Sequence, residues 1–421
     1  MNVQEEHTII NGKLFSCIKD LNNAFMSVFD RPFFLEYGSN YDRIKILLSA
    51  EPEVIAKVLK LRPDLDESSL NRCIITAKRA IEMLTNENIC RNPPHASSIE
   101  GHIIELAYFL QRLHNQREHI RAQFAPEGFR VHFDRIFSEE YLRYEKYLYD
   151  NKVENRLIAP FKNFFTSSTV KFQQNMVIRK ISQNEFHSLV EAEESYTSRL
   201  HWYPEFVICV PLPNNIGQES LETIISSLRL LKDMKIGLSC IYVAFAFPFK
   251  PWTKIEAMEG TKLRETEESP LFNISSNEEV ELLKIYSLLN GAKDIGYLRM
   301  AIRRFNLAYE RERIEDSWID MFVSLESLYS TDSELTEINH RLATRLSRAS
   351  AEIDIESKKA LRSKIKKWYT YRSKIVHGQK ADFGESELNE LAGIVRKSLM
   401  WFLSHQDVDN HDKIIEALDL E

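Results

Sequence analysis

KKALRSKIKKWYTYRSKIVHGQKA, residues Lys358–Ala381, decides how the last third of this chain folds. Leu361, Ile365 and Trp368 recur at steps of four and three residues, the spacing of one face of an α-helix. Arg372 falls four residues after Trp368 and prolongs that face with a guanidinium in place of an apolar group. Four further stripes surround it: Leu298, Ile302, Phe305 and Tyr309; Ile319, Phe322 and Val323; Ile338, Leu342 and Leu346; and Leu388, Leu391, Val395, Leu399 and Phe402. Five amphipathic segments this close together predict a compact antiparallel helical bundle.

Charge separates along the chain. Lys358–Ala381 holds nine Lys or Arg and no acid, although the whole chain has a formal charge of -7. Residues 297–405 carry 19 basic against 16 acidic side chains, so the acidic excess lies elsewhere.

With 421 residues the chain exceeds one ordinary core, and the expected organisation has three parts. Residues 1–155 read as helical, from Val54, Val58 and Leu61, then Ile74, Ile75, Ile81 and Leu84, then Ile103, Leu106, Leu110 and Leu113. Residues 156–275 read as mixed α/β. TSSTVKFQQNMVIRKIS (166–182) has the pattern of strand, turn and strand, PEFVICVPL (204–212) and GLSCIYVAFAFPF (237–249) read as strands, and Leu221, Ile224, Ile225, Leu228 and Leu231 mark a helix between those two. Residues 250–275 look like a loop or linker, and 279–421 are all helix. The fold class is thus mainly α with a mixed α/β middle region. Five scattered cysteines without a Cys-x-x-Cys pair fit reduced thiols, the N-terminus lacks a signal-peptide pattern, and no apolar run is long enough to span a bilayer. A cytoplasmic protein is expected.

Glu326 and Arg372 interrupt apolar stripes. Glu326 shares a face with Ile319, Phe322 and Val323, and a buried charge is costly unless paired, so the two residues are expected to meet across the bundle. Geometry alone leaves a structural ion pair and a functional one equally open. His377 lies five residues beyond Arg372, about 140° around a regular helix, so the two share a face only if the helix bends or ends between them. Gly378 offers a C-terminal cap there. An imidazole that titrates near neutrality and a fixed cation would suit RNA cleavage by 2′-OH attack. The basic run, with Lys366, Lys367, Tyr371, Lys374 and Lys380, reads as a solvated face or, more readily, as a surface for phosphates and bases. Trp368 reads as core. His102, His114 and His119 match no metal-ligand spacing, and no glycine-rich phosphate loop occurs, so neither a metal nor a cofactor is expected.

AIRRFNLAYERERIEDSWIDMFVSLESLY, with its Arg-Phe, Glu-Asp and Leu-Glu-Ser-Leu elements, followed by YRSKIVHG, resembles the Apea-like branch of the HEPN superfamily. MVIRKISQNEF (176–186) is similar to the region that often precedes that module. The resemblance implies a C-terminal HEPN bundle that pairs as a homodimer, with Arg-x(4–6)-His motifs of two copies forming one metal-independent endoribonuclease site. By position, Arg372 and His377 match that motif, Ser373 its polar position, Glu326 the acidic helix residue and Asp316 the acid of the Glu-Asp element. Such proteins act in phage defence or as toxins, often on tRNA, which implies a phage trigger or an antitoxin as a further partner. The expected function is RNA cleavage held in check by the N-terminal regions. The rivals are a HEPN bundle that binds RNA or dimerises without cutting, and the toxin half of a toxin–antitoxin pair.

Overall fold

The computed structural model describes residues 9, 11–28, 48, 67–85, 99–123, 126–149, 155–162, 164–194, 204–212, 217–232, 236–238, 241–245, 247, 249–250, 252–255, 271–292, 294–331, 338–349, 358–405 and 411–420. Among them are thirteen helices and a small antiparallel sheet in the middle of the chain. None of the described helices is long and apolar enough to cross a membrane.

The chain divides into two compact units. The first comprises Met1–Glu154 with Phe245–Pro251. Its described helices are α1 (Gly12–Val28), α2 (Glu67–Thr85), α3 (Ile99–Gln123) and α4 (Pro126–Tyr149). Leu14, Ile18, Leu70, Ala77, Leu106, Leu110, Leu113 and Tyr141 are buried in one core, which also takes in Phe247 and Phe249. Ile75, expected on the inner face of α2, is 66% exposed. The pattern at Val54–Leu61 lies outside the described residues.

The second unit, Asn155–Ala244 with Trp252–Glu421, joins the sheet and the C-terminal helices. The sheet runs β3 (Val170–Lys171), β4 (Val177–Lys180), β5 (Phe206–Pro211), β1 (Arg156–Lys162), β7 (Ile241–Ala244), β8 (Thr253–Ile255), with β6 (Gly237–Leu238) also on β1. Every pairing in it is antiparallel. A separate parallel pair joins β2 (Phe164–Thr166) to β9 (Phe272–Ile274), so residues 250–275 are not simply a linker: both their described ends are strands. Alternate residues face opposite ways. Ile158, Val207, Cys209 and Tyr242 pack against Leu189 and Ala192 of α5 (Gln183–Glu194). Leu157, Ala159, Ile208 and Val210 meet Leu221, Ile224, Ile225 and Leu228 of α6 (Gly217–Leu231).

The bundle consists of α7 (Ser276–Gly291), α8 (Gly296–Ala308), α9 (Ile314–Tyr329), α10 (Ile338–Ala349), α11 (Lys358–Val376), α12 (Glu385–Ser404) and α13 (His411–Leu420). Helix α7 belongs to both layers: Leu282 and Tyr286 enter the core beneath the sheet, Ile285 and Leu289 the core of the bundle. The break expected between 275 and 279 is therefore no boundary, because that helix is apolar on two faces.

Candidate functional site

Helix α11 is seated by Leu361, Ile365 and Trp368, all buried. Trp318 of α9 lies edge-on to Trp368 at 5.5 Å and donates its indole N–H to the Trp368 carbonyl at 3.4 Å. One turn further on, Arg372 Nη2 donates to Glu326 Oε2 at 3.3 Å. The stripe-breaking acid and base thus meet across the bundle, half-buried at 24% and 19% side-chain exposure.

Tyr369, which in sequence counts only among the aromatics interleaved with the basic run, completes the arrangement. Its hydroxyl donates to Glu326 Oε1 at 2.9 Å, and the Arg372 guanidinium lies over its ring at 5.4 Å. Burial, then the neighbouring Glu326 carboxylate, push the Tyr369 hydroxyl up to about 12. The available signal was its i, i+3 spacing to Arg372, which puts both side chains on one strip of helix surface.

Gly378 does cap α11, at φ +69°. Gly378 N–H donates to the Ile375 carbonyl at 2.9 Å and Gln379 N–H to the Lys374 carbonyl at 2.8 Å, the paired bonds of a Schellman ending. His377 N–H donates to the Ser373 carbonyl at 3.1 Å as well. The helix itself ends at Val376, between Arg372 and His377, and His377 stands in the capping turn. Arg372 is directed inward to Glu326, while His377 is exposed.

Most of the other named residues lie along the same helix, with Lys380 just beyond its end. Ser373 and Lys366 are half-buried, and Lys367, Lys374 and Lys380 are exposed. Tyr371 is less open as a base-stacking platform than the sequence suggests, because its ring stacks on Phe383 at 6.0 Å and lies 6.1 Å from Trp318. Asp316 is exposed in the first turn of α9. The buried acid of that helix is Asp320, which receives Arg304 at 2.8 Å and Arg311 at 2.7 Å. Its signal was a carboxylate inside the apolar run Trp318–Phe322.

In the first unit, His102 is buried beside Glu105, and among the described residues no group of three or more His, Cys, Asp or Glu gathers as a metal site. The chain matches no family model, and no curated protein or solved structure is found similar to it.

Proposed function

We propose that this chain is a metal-independent endoribonuclease of the HEPN type, its site completed by a second copy. One observation carries the reading: Arg372 is held without being used up. Glu326 takes a single N–H through a 3.3 Å bond, and the buried Arg372 Nε–H has no acceptor among the described residues. Arg345, by contrast, is forked onto Asp419 by bonds of 2.8 and 2.7 Å. A buried N–H without a partner costs about 1–3 kcal/mol. Added anionic oxygen beside Arg372 is therefore favoured.

Such an oxygen would belong to a scissile phosphate. The 2′-oxygen attacks phosphorus, its proton is taken up by a base, the P–O5′ bond breaks and O5′ receives a proton. His377 suits the proton-carrying role, and Arg372 the charge growing on the phosphate oxygens. Arg372 is turned to Glu326 while His377 is exposed beyond the helix end, so His377 of one copy would serve Arg372 of the other. Exposed Lys367, Lys374 and Lys380 would hold the strand by its phosphates. Structured RNA such as tRNA is the proposed substrate and phage defence the proposed setting, with the N-terminal regions, roughly the first 290 residues, restraining the nuclease.

The exposure of His377 beside a half-buried Arg372 favours a second reading, a bundle that holds RNA without cutting it. Incubating the full chain with total tRNA in EDTA separates the two. Cleavage should leave 2′,3′-cyclic phosphate and 5′-hydroxyl ends, and His377→Ala should abolish it while RNA binding persists. Strict magnesium dependence, or cleavage unchanged in His377→Ala, overturns the nuclease reading; intact RNA with binding retained supports the second.

A further inference from the structure

We infer that Tyr369 is a positioning residue for Arg372, acting on it by two separate routes. Its hydroxyl fixes Glu326 through the 2.9 Å bond to Oε1, leaving Oε2 aimed at Arg372. Its ring lies beneath the guanidinium at 5.4 Å. The ring is itself gripped, edge to face, by Phe322 of α9 at 5.6 Å and 88°. Glu326 lies one turn along from Phe322, so α9 supplies both the wall for the ring and the acceptor for the hydroxyl.

A guanidinium held by one long hydrogen bond would otherwise rotate about its last side-chain torsions. A ring face and an acid that cannot swing away remove that freedom. Since burial and Glu326 keep the phenol protonated well beyond neutrality, it remains a donor to Glu326 across the physiological range. Tyr369 touches no reacting atom in this scheme; it acts through Glu326 and Arg372.

The activity arm rests on the nuclease reading above, whereas the geometric arm does not. Tyr369→Phe removes the hydroxyl bond and keeps the ring; Tyr369→Leu removes both. In the full chain labelled with 15N-arginine, the Arg372 Nε–H resonance, assigned by its loss in Arg372→Lys, reports guanidinium motion directly. Tyr369→Phe should broaden or shift that signal. It should also lower kcat for RNA cleavage by about 10-fold with KM and fold little changed, as loss of a supporting hydrogen bond commonly does. Tyr369→Leu should go further on both counts. An unaltered Arg372 resonance in both variants overturns the proposal, as does a fall in kcat that only follows loss of folded protein. Wild-type protein that cuts no RNA would refute the nuclease reading, and the resonance would still decide the role of Tyr369.

Discussion

Arg229 and Glu310 meet at 2.9 Å where both side chains are buried, at 3% and 9% exposure. Arg229 belongs to α6 beneath the sheet, and Glu310 follows α8 in the bundle. The same guanidinium donates to the Asn306 carbonyl at 3.2 Å and lies over Tyr309 at 5.5 Å, while Asn306 donates to Ser226 at 2.7 Å. Burial pushes the Glu310 carboxyl up, and Arg229 pulls it down. Sheet and bundle are thus joined by a dry ion pair as well as by α7.

Removing one partner of such a pair leaves the other charge buried and uncompensated. Arg229→Ala should cost about 3–5 kcal/mol, and the double variant Arg229→Met, Glu310→Leu should recover most of it. Urea unfolding followed by tryptophan fluorescence and circular dichroism checks this. A loss under 1 kcal/mol for Arg229→Ala would mean that α7 and the apolar contacts hold the layers together unaided.

How much of this was open to sequence reading depends on how local each feature is. The stripe on α11 and those of its neighbours are periodic, so the helices and the Glu326–Arg372 encounter could be read directly. Strand β1, the centre of the sheet, could not, because Pro160 argues against a central strand. Pro160 lies between the residues that pair with β7 (156–158) and those that pair with β6 (161–162), where one side of the ladder is interrupted. The cap at Gly378 and the helix end before it were legible, but not that His377 would lie exposed while Arg372 turns to Glu326. Asp320 and Tyr369 left only a positional trace in sequence, because the partners that fix them, Arg304 and Arg311 for one and Glu326 for the other, lie on other elements.

In the first unit, Tyr147 donates to Glu105 Oε1 at 2.6 Å, and His102 Nδ1 stands 4.0 Å from Oε2. Burial pushes Glu105 up to about 7, with Tyr147 acting against it, and burial lowers His102. A carboxyl whose folded value is raised contributes stability below its unfolded value, near 4.5, and loses it as pH rises through about 7. His102 contributes in the opposite sense, so the wild type must be set against Glu105→Gln. Between pH 5 and pH 8 the wild type should lose up to about 3 kcal/mol relative to that variant. Equal slopes in denaturant titrations across this range would show that Glu105 ionises without penalty.

Arg345 is 1% exposed and spans from the Tyr329 carbonyl, at 2.8 Å, to Asp419 near the end of α13. Ile414, Ile415 and Leu418 hold the same helix by its apolar face. Asp419 is 48% exposed, so solvent screens the pair and its loss costs less than that of a fully buried one. Asp419→Ala should lower stability by about 1–2 kcal/mol, mostly because Arg345 stays buried with fewer acceptors. Arg345→Ala, which also opens a cavity, should cost more; the reverse order in urea midpoints would place the burden on Asp419.

The orientation of Arg372 and His377 yields the sharpest functional prediction. If a cleaving site takes its arginine from one copy and its histidine from another, Arg372→Ala and His377→Ala chains should each be inactive alone and active when mixed. A mixed pair would contain one site with both wild-type residues and one with neither. Co-expressed and purified through two different tags, mixed pairs should regain about half the wild-type cleavage of tRNA, by the two-fold symmetry of such an assembly. Were both residues of each site to come from the same chain, every site in the mixture would lack one of them and activity would stay at background. That result would bring Arg372 and His377 of one chain to the same phosphate across the capping turn at Gly378. Full activity from either single variant would remove the residue concerned from the chemistry altogether.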